Sequence, residues 1–228
     1  MADYNIFHHI PWTGAYAIYF FTIGLSAALF FFSALSWVRE EYMALRTKAA
    51  YLSFVLLAVS GALLIGDLSQ PMRFLNTMNP AYLNFASPLA WGGLNLLSFG
   101  IVSVLYLLTL KQGKQALAKK LAIAGAVLGL CLPIYTGFDL TVHQNRPVWN
   151  TPLMPVLFVA LSLVSGAAVA SFLAGGEARL VSALRQIMLW SVGAVAVMLV
   201  SLMGTTAYGG VGQELTFAVL TTGSLSMA

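Results

Sequence analysis

Long apolar stretches separated by short polar connections make up most of the sequence. About 20 residues at 1.5 Å each cross a hydrocarbon core of about 30 Å, so most of these stretches are long enough to span a membrane as helices. The last stretch is short, and we expect it to form only a marginal span. The stretches cover residues 12–38, 46–66, 88–110, 117–138, 152–174, 184–206 and 213–228. The pattern predicts an all-α fold, a polytopic transmembrane bundle of about seven helices in one integral membrane domain, residues 1–228.

The composition agrees with a surface that faces lipid. Of 228 residues, 60% are hydrophobic and only 8% are charged, whereas a soluble domain carries about 25% charged residues. Residues 1–11 lack the basic segment that opens a signal peptide, so we expect the first apolar stretch to be a retained helix. The net charge of +4 reflects membrane orientation, and we expect no nucleic-acid partner.

Lysine and arginine are distributed unevenly between the two sets of connections. One side holds Arg39, Arg46, Lys48, Lys111, Lys114, Lys119, Lys120, Arg179 and Arg185. The other side holds only Arg73 and Arg146. Because cytoplasmic loops are enriched in Lys and Arg, the first side is predicted to face the cytoplasm. We call it the inner side; the N-terminus and the connections 67–87 and 139–151 then lie on the outer, periplasmic side.

The ionisable residues of the outer side are candidates for a polar site. They are Asp3, His8, His9, Asp67, Arg73, Asp139, His143, Arg146 and Glu214. Carboxylates at a membrane boundary, with single arginines nearby, are typical of functional sites. The alternative is that all of them are solvated loop residues.

The fourth apolar stretch combines a proline, a tyrosine and an aspartate. Pro133 leaves the Gly129 carbonyl without its usual helical partner and predicts a kink near the outer boundary. Tyr135 and Asp139 are four residues apart, so they share a face if the helix continues. A tyrosine hydroxyl at membrane depth needs a hydrogen-bond partner, and a quinone carbonyl is one candidate. The alternative is that Tyr135 belongs to the aromatic belt at the membrane interface.

The first two apolar stretches add candidates at the same level. Tyr16 and Tyr19 are three residues apart on one helix face and are candidates for ligand contact or for belt positions. Asp67 follows the second stretch, where the helix dipole disfavours an anion. A role in proton exchange would explain the position of Asp67, and so would a salt bridge to Arg73.

The sequence argues against a metal or haem centre in this chain. Cys131 is the single cysteine and lies in an apolar run, where it is expected to be a small buried hydrophobe. An iron–sulfur cluster needs about four thiolates, and a bis-histidine haem needs histidines inside helices. His8, His9 and His143 instead lie at or beyond the outer boundary.

Three stretches resemble the polysulfide reductase NrfD-type membrane subunits of respiratory molybdenum enzymes. They are WTG at 12–14 with FFTIGLSA at 20–27, GDLSQPMRF at 66–74 with SPLAWG at 87–92, and YTG at 135–137 with NRPVWN at 145–150. The third is the most specific. Together they fall within the first five apolar stretches, whereas the last two match only in hydropathy.

The resemblance implies a site for menaquinone or ubiquinone near the outer surface. The first four helices, residues 12–140, would form the quinone-site bundle, and residues 141–228 the remaining helices. Tyr135 matches the quinone-contacting tyrosine of the family, and Tyr19 stands where a well-known member has a quinone-contacting histidine. We therefore assign quinone contact to Tyr135, Tyr19, Tyr16, Arg73, His143 and Arg146, and proton exchange to Asp67 and Asp139.

The resemblance also implies partners. A ferredoxin-like iron–sulfur subunit would dock on the outer surface, with a molybdopterin catalytic subunit beyond it, in an anaerobic respiratory chain. The leading interpretation is a membrane anchor that oxidises quinol or reduces quinone for such a complex. Two alternatives stay open. One is a secondary transporter that uses Asp67, Asp139 and Arg146, although its charges lie at one surface rather than at the midplane. The other is an anchor without a quinone site.

Overall fold

The computed structural model describes residues 14–67, 70–72, 76, 79, 81, 83–143, 146 and 148–223. This part of the chain has seven α-helices, a 3₁₀ turn at Glu40–Tyr42 and no strand. The helices are α1 Gly14–Leu35, α2 Leu45–Gly66, α3 Pro88–Lys111, α4 Gln115–Thr141, α5 Leu153–Leu173, α6 Ala178–Ala207 and α7 Val211–Thr221. The predicted all-α fold is confirmed.

Six of these helices are long and apolar enough to cross a membrane, and the chain is a multi-pass integral membrane protein. The seventh helix, α7, has 11 residues and is about 16 Å long at 1.5 Å per residue, which is too short to span the hydrocarbon core. By contrast, α6 begins at Ala178 rather than at the predicted residue 184. The helix continues through Arg179 and Arg185 because long arginine side chains at a helix end reach the water.

The bundle is built around α1. This helix packs against α2, α4 and α5, while α3 packs mainly against α4, and α6 against α5. Thirteen of the 22 residues of α1 are buried. A Cβ at Gly24 would meet Ser162, and a Cβ at Gly166 would meet Ala28, so small residues let α1 and α5 approach closely. The division at residue 140 stays a prediction, since α5 packs on α1 and α4 directly.

The helix α4 is continuous through Pro133. Tyr135 and Asp139 therefore share a face, one turn apart, as the spacing predicts; the kink at Pro133 stays a prediction. Beyond the proline, a Cβ at Gly137 would overlap the backbone of Pro155 in α5. Because backbone cannot rotate away, Gly137 holds the outer end of α4 directly against α5.

The contact between α2 and α3 is looser. An apolar groove of about 470 Å³ separates them, lined by residues of both helices. Gly61, Gly93 and Gly100 are among its lining residues, and the remainder are Leu, Ile, Val and Phe. The lining of the groove is therefore as apolar as a lipid tail.

Candidate functional site

Five of the eight predicted site residues come together at the outer end of the bundle. Tyr16 and Tyr19 lie in the first two turns of α1, Tyr135 and Asp139 in the last turns of α4, and Asp67 directly after α2. The Asp139 carboxyl lies within electrostatic range of all three tyrosines, and Asp67 within range of Tyr16. We call these five residues the outer cluster.

Two members of the outer cluster are buried, and the other three are partly buried. Tyr19 is 3% exposed and Asp139 is 8% exposed. A buried carboxylate is unfavourable unless it is paired, and His143, one turn beyond Asp139, lies within electrostatic range to pair with it. The outer cluster thus brings two carboxyls within electrostatic range of phenol groups, an arrangement suited to proton exchange.

Aromatic contacts fix the two tyrosines of α1. The ring of Tyr16 packs edge-on to Tyr19 at 5.7 Å and to Phe20 at 5.3 Å. Phe20 in turn packs edge-on to Phe158 of α5 at 5.6 Å. Because Tyr19 is buried within the bundle, it does not occupy the lipid-facing position that the aromatic belt requires.

Tyr135 occupies space that only a glycine leaves open. A Cβ added to Gly92 of α3 would fall on the Tyr135 ring at Cζ, Cε1 and Cε2. Gly92 is itself buried. Because Gly92 has no side chain, the phenol of Tyr135 can lie directly against α3.

A cavity of about 500 Å³ lies beside Tyr135, within the range of about 300–1,000 Å³ that is usual for small-molecule sites. It is lined by Phe85, Ala86, Trp91, Asn95, Cys131, Ile134, Tyr135, Phe138 and Thr141. The lining is mostly apolar, which suits a flat aromatic ring.

Two polar residues of this cavity escaped the sequence assignment. Asn95 Nδ2 donates to the Leu128 carbonyl at 3.1 Å, and Trp91 Nε1 donates to the Phe85 carbonyl at 2.9 Å. Asn95 was recognisable in principle, since a lone amide in an apolar helix usually marks a packing or binding position. The prediction for Cys131 was wrong, because its side chain is exposed and lines the cavity. In a membrane, lipid accommodates a small thiol as well as a core does.

The remaining predicted residues lie apart from the phenols or outside the described residues. Beyond α4, the His143 ring is 5.9 Å from the Trp149 ring, and the Arg146 guanidinium is 5.6 Å from it. Both side chains thus pack around Trp149, and His143 also lies within electrostatic range of Asp139. Arg73 lies outside the described residues, so its salt bridge to Asp67 stays a prediction.

One described family and several known proteins are similar to this chain. Residues 4–227 match the family described as "Polysulphide reductase, NrfD". A polysulfide reductase polypeptide of Wolinella succinogenes is 26% identical over 182 residues, which cover 70% of this chain and 57% of that protein. Protein NrfD of Escherichia coli is 30% identical over 193 residues, with 72% and 59% covered. A tetrathionate reductase subunit of Salmonella typhimurium is 30% identical over 153 residues, with 64% and 44% covered. The matched part thus spans roughly half the length of these relatives.

Proposed function

This chain belongs to the polysulphide reductase NrfD family, and we propose that it is the quinone-reactive membrane subunit of a respiratory reductase. In this role it passes electrons between the quinone pool and an iron–sulfur partner subunit. The observation that carries the proposal is the outer cluster, three phenols with a buried carboxyl, of which Tyr135 also lines a mostly apolar cavity of about 500 Å³. Two of its curated relatives are named as parts of polysulfide and tetrathionate reductases.

The residues of the site fit a quinone head group, menaquinone or ubiquinone. A quinol supplies two electrons and two protons when it is oxidised. The Tyr135 hydroxyl can donate a hydrogen bond to a quinone carbonyl, while the apolar cavity excludes water from the ring. Asp139 can accept a proton and exchange it with His143, and Asp67 lies at the same level for exchange with outer water.

Electrons leave the site through a partner in this proposal. The chain has one cysteine, too few for an iron–sulfur cluster of its own. A ferredoxin-like subunit with iron–sulfur clusters, and a molybdopterin catalytic subunit beyond it, would dock on the outer surface close to the outer cluster. The nine Lys and Arg residues at the opposite end of the helices support an outer cluster on the periplasmic side.

Substitutions at the outer cluster test the proposal in the assembled complex. Tyr135→Phe removes a hydrogen bond worth about 0.5–1.5 kcal/mol and should slow quinol oxidation by about 2- to 10-fold. Asp139→Asn removes a proton-exchanging group and should slow it by roughly 10²–10⁴-fold. Tyr208→Phe is the matched control, because Tyr208 is 92% exposed.

An artificial dye that reduces the catalytic subunit directly separates a site effect from loss of assembly. Dye-driven activity should be unchanged in all three variants. If Tyr135→Phe and Asp139→Asn assemble and oxidise quinol at the rate of Tyr208→Phe, the outer cluster is not a quinone site. An anchor without a quinone site would give that result, whereas a transporter would not assemble with an iron–sulfur subunit.

A further inference from the structure

A cavity of about 830 Å³ lies at the inner end of the bundle, beside the 3₁₀ turn. We call it the inner pocket. Residues of α1, α5 and α6 form its walls, together with Arg39, Glu41 and Tyr42 of the connection between α1 and α2. The outer cluster lies at the opposite end of these helices, so the inner pocket is separate from the proposed quinone site.

The lining of the inner pocket changes from polar to apolar along α6. Arg179, Ser182 and Gln186 are three and four residues apart on one face of this helix, and Trp190 continues that face one turn deeper. Leu163 of α5 and two apolar residues of α1 complete the wall. The inner pocket is therefore amphipathic along its length.

The length of α6 places the inner pocket at the level of the lipid head groups. The helix has 30 residues and is about 45 Å long at 1.5 Å per residue. A hydrocarbon core is about 30 Å thick, and a bilayer with its head groups about 40–45 Å. Charged side chains such as Arg179 and Arg185 avoid the core, so the first turns of α6 lie among the head groups. Trp190 is roughly 16 Å further along the helix, so the inner pocket reaches the acyl chains.

The arginines of the inner end differ in what they bind within the chain. Arg46 is engaged, since its Nε donates to Ser36 Oγ at 2.9 Å and its guanidinium lies 3.9 Å over the Trp37 ring. The Arg179 side chain, by contrast, makes no ion pair and no hydrogen bond with any described residue. Arg179 can therefore bind an anion without giving up a contact of the fold.

Arg39, on the other side of the inner pocket, is paired with a carboxylate of the same lining. Its Nη1 donates to Glu41 Oε1 at 3.4 Å. An ion pair at the surface contributes little, and a guanidinium has five N–H donors, so Arg39 keeps donors for a ligand. Two arginines against one carboxylate leave the lining with a net positive charge, which favours an anion.

Tyr42 gives an independent indication of a ligand. Its side chain is 2% exposed, its ring lies parallel to the Phe32 ring at 6.4 Å, and it lines the inner pocket. The Tyr42 hydroxyl makes no hydrogen bond within the described part of the chain. Because buried polar groups are almost always hydrogen-bonded, we expect a partner from outside the chain. A water would satisfy Tyr42 alone, but it would use neither the two arginines nor the apolar wall.

We propose that the inner pocket binds an anionic phospholipid, with its phosphate at Arg39 and Arg179 and an acyl chain along the wall that ends at Trp190. A planar guanidinium binds two phosphate oxygens at once, and basic pockets between helices at the cytoplasmic surface suit anionic head groups. The Tyr42 hydroxyl donates to a phosphate or ester oxygen. The lipid then joins α6 to the turn between α1 and α2, and nothing in this arrangement rests on quinone chemistry.

Native mass spectrometry of the complete complex, titrated with phosphatidylglycerol in detergent, tests the site. Arg179→Gln should weaken phosphatidylglycerol binding about fivefold, the factor expected for one basic residue at an anionic membrane surface. Tyr42→Phe should weaken it about 2- to 10-fold through one lost hydrogen bond. Arg185→Gln is the matched control, because Arg185 is exposed on the same helix but does not line the inner pocket. It should bind phosphatidylglycerol as the unmodified complex does.

Two further ligands define the chemistry of the site. Phosphatidylcholine has the same acyl chains without the net charge, and inorganic phosphate has the charge without the chains, so both should bind more weakly than phosphatidylglycerol. The proposal is overturned if either binds as tightly, or if Arg179→Gln and Arg185→Gln have equal affinity for phosphatidylglycerol. A structure of the complex with a partner helix in the inner pocket would also overturn it.

Discussion

The contact between Gly92 and Tyr135 gives the sharpest prediction for the site. In Gly92→Ala the new Cβ would overlap the hydroxyl-bearing end of the Tyr135 ring. Non-bonded carbons lie about 3.5–4.0 Å apart, so the ring must move by on the order of 1–2 Å. We expect the ring to move rather than α3, because side-chain torsions yield more readily than packed helices.

Two measurable effects follow. A displaced Tyr135 ring loses the same hydrogen bond that Tyr135→Phe removes, so quinol oxidation by the complex should fall by about 2- to 10-fold. Overpacking costs about 1–3 kcal/mol, partly offset by the helix propensity of alanine, about 1 kcal/mol better than glycine. The thermal unfolding temperature should therefore change little or fall slightly.

The adjacent glycine provides the control. Gly93 has no atom within 4 Å of an added Cβ and faces the groove between α2 and α3. Gly93→Ala should keep full quinol oxidation and should be neutral or slightly stabilising. The assay is quinol-driven against dye-driven activity of the purified complex. Equal quinol oxidation in the two variants would refute the claim that Gly92 positions Tyr135.

Further predictions concern packing, cofactors and docking. Gly137→Ala should destabilise the bundle by about 1–3 kcal/mol, because the Pro155 backbone cannot yield; thermal unfolding should show no such loss for Gly204→Ala, which has open space. Tyr106→Phe removes the hydrogen bonds of the Tyr106 hydroxyl with Ser33 Oγ and Trp37 Nε1 and should lower stability by roughly 0.5–2 kcal/mol in the same assay. The isolated protein should show no Soret band and no bound iron by metal analysis. Partner subunits should dock on the outer surface, and a structure of the complex with contacts mainly at 111–120 would contradict this.

The helices and the general position of the site could be predicted from the sequence for simple reasons. Apolar length specifies membrane spans directly, and a helical spacing of four places Tyr135 and Asp139 on one face. The resemblance to the NrfD family, carried by three short stretches, is confirmed by the family match over residues 4–227. That Asp139 and Tyr19 lie close together could be expected only through this resemblance, because periodicity does not specify which helices are neighbours.

Other features depend on packing, which a single sequence does not show. Gly92 and Gly93 are adjacent and chemically identical, yet only Gly92 faces Tyr135. Hydropathy could not show that Cys131 faces outward, because the lipid and the protein core are equally apolar surroundings for its side chain.

Arg46 connects the folded structure to the way the protein is made. It is one of the nine basic residues from which we predict the orientation, and its guanidinium donates to the Ser36 carbonyl and hydroxyl at 2.7 and 2.9 Å and stacks on Trp37. The charge that is predicted to keep the first hairpin on the cytoplasmic side therefore also stabilises its turn. These contacts all involve residues directly after α1, so they need no residue of α3 and can form before α3 has been synthesised. We therefore expect one residue to act both as an orientation signal and as the contact that closes the first hairpin.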